Sequence, residues 1–157
     1  MDSGMPERGE AMAVTAKLFG RVFLAAFNKE IDLLDDNIAC TLHTSAYVPD
    51  QDAHDYVNDL TGEVAAAGGY TPGGQNLLND TLTYTPATNV IMYDADDVVW
   101  AGSTITARTA VLSDRTPGTA ATQPLLCYQN SDVDIVSSGG EFRVQWNASG
   151  IFSVTVA

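Results

Sequence analysis

Gly140-Glu-Phe-Arg-Val-Gln-Trp-Asn-Ala-Ser-Gly-Ile-Phe-Ser-Val-Thr-Val-Ala157 is the stretch whose reading decides the fold. Phe142, Val144 and Trp146 alternate with Glu141, Arg143 and Gln145. A period of two belongs to a β-strand with one buried face. Asn147-Ala148-Ser149-Gly150 supplies turn chemistry, with Gly150 free to take a positive φ. Phe152, Val154 and Val156 then resume the alternation. An unpaired last strand would fray, so the pattern predicts a closing hairpin with both strands paired. Trp146 shares a face with Phe142 and Val144, which places it in the core.

Working outward, the same alternation recurs along the chain. Asn37 to Thr44 puts Ile38, Cys40 and Leu42 on one face and Ala39, Thr41 and His43 on the other. Further strands are predicted at Glu63 to Ala67, Leu77 to Thr85, Asn89 to Tyr93, Asp97 to Trp100, Thr104 to Leu112, Pro124 to Tyr128 and Asp132 to Val136. Gly68 to Gly74 reads as a flexible loop and Asp114 to Gly118 as a turn. About eight strands at steps of roughly eight to twelve residues indicate a mainly β protein, an antiparallel β-sandwich or flattened barrel. One segment differs. From Thr15 to Asn28, Leu18, Phe19, Val22, Phe23, Ala26 and Phe27 recur at helical steps, and Thr15 is placed to cap the start. Gly20 weakens such a helix by about 1 kcal/mol relative to Ala. Residues 1–12 read as a flexible tail and 13–157 as a single domain carrying the helix over 15–28.

The chain has 157 residues and a formal net charge of −13, from 20 acidic and 7 basic side chains. Such a surface repels nucleic-acid phosphates and anionic bilayers, so neither is an expected partner. The apolar run from Ala13 to Phe27 is broken by Lys17 and Arg21 and is too short to span a membrane. The expected site of synthesis and storage is therefore the cytoplasm. Lys17, Arg21 and Lys29 cluster in or beside the predicted helix, making it the one candidate cationic surface. Its aromatic stripe either covers an open end of the sheet core or docks on a partner. Lys17, Leu18, Phe19, Arg21, Val22, Phe23 and Phe27 are the candidate assembly contacts.

Chemistry is sparse. Cys40 and Cys127 each lie in an apolar run and read as reduced, buried hydrophobes, with a disulfide between them as the alternative and no CxxC spacing for a metal. Asp50-Gln51-Asp52-Ala53-His54-Asp55 resembles part of a calcium loop but lacks the turn glycine and the bidentate glutamate. Asp94, Asp96 and Asp97 form a second acidic corner. No Gly-x-Ser-x-Gly and no phosphate-cradling loop are present. The expectation is no catalytic set, no cofactor and no bound metal. Tyr47, Tyr56 and Tyr70, if exposed together, would offer a sugar-stacking platform.

Four stretches carry a resemblance: Met12 to Asp32 (Met-Ala-Val-Thr-Ala-Lys-Leu-Phe-Gly-Arg-Val-Phe-Leu-Ala-Ala-Phe-Asn-Lys-Glu-Ile-Asp), Thr41 to His54, Thr104 to Val111, and Phe142 to Ile151. Together they resemble a family of small virion structural proteins of tailed actinobacteriophages, over Met12 to Ala157. Residues 1–11 depart from the family's usual start. The match is a whole-chain pattern without a catalytic motif, so it implies a class of protein and no active residues. What it implies is a capsid decoration or minor capsid protein, bound to the major capsid protein and to itself, as trimers at local threefold positions. A tail or head-to-tail connector component is the nearest alternative, and a carbohydrate-binding module on the virion surface is another.

Overall fold

The computed structural model describes residues 14–34 and 37–157. The predicted tail of residues 1–12 lies outside them. Ten strands and one short helix follow in order: β1 Val14–Leu18, α1 Val22–Phe27, β2 Ile38–His43, β3 Gln75–Asn76, β4 Thr81–Thr85, β5 Val90–Asp94, β6 Val98–Ser103, β7 Thr106–Asp114, β8 Leu125–Val136, β9 Gly140–Val144 and β10 Phe152–Thr155. Every strand pair is antiparallel. The protein is mainly β, in a sandwich-like arrangement. One sheet runs β1-β8-β7-β2-β3, a second β10-β5-β4, and β6 pairs with β9.

The large sheet is buried on both faces at its centre. Ile38, Cys40 and Leu42 of β2 face one core, together with Leu112 of β7, Cys127 of β8, Trp100 of β6 and Phe142 and Val144 of β9. The opposite face carries Val111, Leu125 and Tyr128, covered by Phe19 and Tyr47, with Val57 and Leu60 from the intervening loop. Consequently all six residues of β2 are buried, its polar Thr41 and His43 included. Those two satisfy each other: Thr41 Oγ1 and His43 Nε2 lie 3.0 Å apart, and His43 Nδ1 lies 2.8 Å from the Thr61 carbonyl oxygen. A carbonyl only accepts, so Nδ1 carries the proton and Nε2 accepts from the threonine hydroxyl.

Several expectations require correction. The helix over 15–28 is not formed. Thr15, Ala16, Lys17 and Leu18 instead pair with Asn130, Gln129, Tyr128 and Cys127 of β8. The helical periodicity there was local, and β8 offered an open edge whose hydrogen bonds needed a partner. Gly20 marks the break, its N–H donating to the Gln51 carbonyl at 2.8 Å. Only Val22–Phe27 remains helical. The closing hairpin is also absent: β9 pairs with β6 and β10 with β5. Gly150 does take a positive φ, +91°, but it sends the chain across to a different sheet, where a Cβ would meet the Met92 side chain and the Tyr93 carbonyl at 2.7 Å. The run from Leu77 to Thr85 is interrupted at Asn79, which adopts φ +54°. Glu63 to Ala67 forms no strand and contributes two isolated bridges, Glu63 to His43 and Ala67 to Tyr70.

Pro124–Tyr128 and Asp132–Val136 merge into one strand, β8. Its register against β7 jumps from Thr109–Asn130 to Ala107–Ile135, so three extra residues bulge out of the ladder. That bulge is why the sequence reads as two strands. Trp146 is partly buried against the core, with its indole N–H donating to the Asp96 carbonyl at 3.0 Å.

Cys40 and Cys127 are both buried and unpaired. Each lies opposite Leu112, one on either side of it. Two strand spacings, about 9–10 Å, separate them, beyond the reach of a disulfide. Burial raises both thiol pKa values, that of Cys127 to about 12. Leu112→Ala is expected to cost about 3 kcal/mol, as a cavity at the centre of the larger core. Urea denaturation measures it; a loss under about 1 kcal/mol would show that this row of three side chains is not the centre of the packing.

Candidate functional site

The small sheet has two unlike faces. In the register of β4, β5 and β10, Leu82 and Tyr84 align with Tyr93 and Ile91, and these with Phe152 and Val154. Side chains opposite one another share a face, so these six form an apolar surface. Thr81, Thr83 and Thr85 turn the other way. Tyr93 is fully covered, packing on Phe152 with ring centroids 5.4 Å apart. Farther along, the cover thins.

α1 lies against this surface without closing on it. Val22 and Ala25 anchor the helix inward, and its other apolar side chains stand out. Between helix and sheet runs a groove of about 400 Å³, lined by Phe23, Ala26 and Phe27 on one wall and by Ile91, Phe152 and Val154 on the other. Ile31, Leu33, Leu82 and Val156 complete the rim. Among the described residues no charged side chain lines it. Phe27 is 83% exposed and Leu24, on the outer side of α1, 52%. A single exposed Leu is unremarkable on a protein surface, but several large apolar side chains around one concavity mark an interaction site.

The predicted assembly contacts are divided by the structure. Phe23 and Phe27 line the groove and Val22 forms its floor. Phe19 is instead buried in the second core, 5.0 Å from the ring of Tyr128. Lys17 and Leu18 lie on β1, beside a separate crevice with Trp146 and Phe152. Arg21 is not a free cation: its guanidinium holds Asp55 at 2.7 Å. The expected single helical face does not form, because Lys17 lies on strand β1 while Arg21 sits at the start of the short helix α1. The β10 side chains of the groove were legible as an alternating run. Their exposure was not, since it follows from β10 leaving its sequence neighbour for β5.

The other candidates fare as follows. Tyr47 and Tyr70 are buried, so with Tyr56 they form no aromatic platform. Tyr70 donates to Glu63 at 2.7 Å and Tyr47 contacts His54 Nδ1 at 3.0 Å. The Asp50 carboxylate receives the Asp52 and Ala53 N–H groups at 3.0 Å each, and these hold its pKa below the usual value. It closes its own turn. Asp97 pairs with Arg143 at 3.1 Å and Asp96 receives Asn79 at 2.7 Å. Among the described residues no three His, Cys, Asp or Glu side chains converge as a metal site would require. Nor is any described helix long and apolar enough to cross a membrane.

No family model, curated protein or solved structure matches this chain. The groove must be interpreted from its own chemistry. Among the described residues its lining offers shape and apolar surface.

Two outcomes are expected. Phe27→Ser removes an exposed ring, so unfolding free energy should change by less than about 0.5 kcal/mol while binding of a hydrophobic dye falls several-fold. Burial lowers the His43 pKa beneath its ordinary value of about 6.5. Above that pH the ring is neutral whether folded or not. Below it the unfolded chain takes up a proton that the folded chain refuses, so stability falls as pH drops from about 6.5. Thermal midpoints at pH 7.5 and 5.5 should differ less in His43→Gln than in the native chain; equal differences would mean that His43 is not the group responsible.

Proposed function

We propose that this chain is a structural component of a bacteriophage virion, a capsid decoration protein that seats the α1 groove on the outer face of the shell. The observation that carries the reading is the groove itself: a preformed, wholly apolar cleft left open beside a helix with outward phenylalanines. The resemblance of Met12 to Ala157 to small virion proteins supplies the setting. The rigid, doubly buried β core supports a passive, load-carrying role. The net charge of −13 keeps copies soluble and apart until an apolar contact holds them.

Binding would stabilise the shell by mass action, because copies bind the assembled lattice and not its free subunits. Filling the groove and covering Phe27 would contribute about 1.5–3 kcal/mol per large side chain buried. The site suits a protruding apolar loop or helix face of the major capsid protein.

Removing the N-terminal segment would be a poor test, since β1 and Phe19 belong to the folded core. Phe27→Asp is better, because the ring is exposed and its loss leaves the core intact. On purified empty shells this variant should be retained at least tenfold less than the native chain. Equal retention, or absence of the chain from intact particles, would refute the proposal. Copy number separates a shell location, with hundreds of copies, from a tail or connector ring with few.

A further inference from the structure

The edge of the small sheet carries an inference independent of the groove. β4 is Thr81-Leu82-Thr83-Tyr84-Thr85, hydrogen-bonded to β5 on one side and to no strand on the other among the described residues. All nine residues from 81 to 89 are exposed, so the strand and its turn stand clear of the body. Open edges are normally protected by charge, proline, brevity or cover. The others here are: β1 carries Lys17, β3 is two residues long, β9 carries Glu141 and Arg143, β6 is met by the Gln75 side chain, which donates to the Val99 carbonyl at 3.1 Å, and β10 is only four residues long and begins in the crevice beside β1. β4 has no such protection. Between Asp80 and Asp94 there is no charged residue at all, in a chain of net charge −13.

The register shows which backbone groups are free. On β5, the Tyr93 carbonyl accepts from Ile151, and the Asn89 carbonyl just before the strand accepts from Val156, each at 2.8 Å. Backbone groups alternate along a strand, so Asn89, Ile91 and Tyr93 point to β10, while Val90, Met92 and Asp94 point to β4. Their partners Thr85, Thr83 and Thr81 are thereby satisfied. The N–H and C=O groups of Leu82 and Tyr84 face outward.

We propose that β4 pairs antiparallel with β4 of a second copy, across a two-fold axis at Thr83. This places Leu82 of each copy opposite Tyr84 of the other, with all four outward residues exchanging backbone hydrogen bonds. Thr83 meets its own counterpart in a non-hydrogen-bonded pair, where its inward-bonded groups leave it. Leu82 and Tyr84 lie on the groove face, so the pair gains two aliphatic–aromatic cross-strand contacts. Asp80 falls opposite Pro86 of the second copy, so no carboxylate meets another. The strand is self-complementary in hydrogen bonds, side chains and charge, as an isologous contact requires. The two small sheets become one of six strands. The contact is two-fold, unlike the threefold arrangement the family resemblance implies, and it stands whether or not the groove binds a shell.

Two variants test it on the full-length chain. Sedimentation at roughly 100 µM, where even a weak specific contact is populated, should give the mass of two chains for the native protein. Thr83→Asp, which sets like charges face to face, should give the mass of one chain with an unchanged circular dichroism spectrum. Thr83→Cys should form a disulfide-linked dimer under mild oxidation at least fivefold faster than Thr88→Cys on the turn; Cys40 and Cys127 are buried and add no background. A native chain that sediments as a monomer overturns the proposal. So does association that Thr83→Asp leaves intact, or cross-linking at position 83 no faster than at 88. Should Thr83→Asp disturb the fold, the cross-linking comparison decides alone. Shell retention of Thr83→Asp reads the groove separately, so failure of either idea is distinguishable from failure of the other.

Discussion

The requirement that the large sheet be covered on both faces governs the rest of the structure. β2, β7 and β8 carry apolar side chains in both directions, with Cys40, Leu112 and Cys127 on one face and Val111 and Tyr128 on the other. A strand buried on both sides needs two separate lids. One is the layer of β6, β9 and Tyr93 of β5. The other is the loop that delivers Tyr47, Val57 and Leu60, pinned by Phe19. Thr41 and His43 are admitted to this interior only because their polar atoms are paired there.

Covering the large sheet leaves the small one exposed. β6 and β9 occupy the space over the core, and the sheet of β10, β5 and β4 extends past it. Only the Tyr93 end is packed inward. Its remaining apolar face is met by two turns of helix, too short to cover it. The groove is thus a by-product of how the layers are sized, and it is also where an outside surface can be received.

The alternation of Phe142, Val144, Phe152 and Val154 made the β class legible, and most strand positions could be read within a few residues. Strand partners could not. Nothing in Gly140 to Ala157 distinguishes a hairpin from two strands that part at Gly150, because both use the same turn residues and the same period. The segment from Thr15 to Asn28 misled for a different reason. Its apolar spacing fits a helix, and the edge of β8 that claims its first residues lies more than a hundred positions away. The apolar spacing of Phe23 and Phe27 marked them as one stripe, and both do line the groove. Their neighbours Phe152 and Val154 looked like core, since sequence records polarity but not how far a neighbouring layer reaches.

The position of Leu112 between the two cysteines has a further consequence. With a leucine row separating them and burial raising both thiol pKa values, the chain has no internal cross-link to gain or lose. Its fold is the same in a reducing interior as in an oxidising exterior. A protein built this way could leave the compartment in which it was synthesised without forming a disulfide.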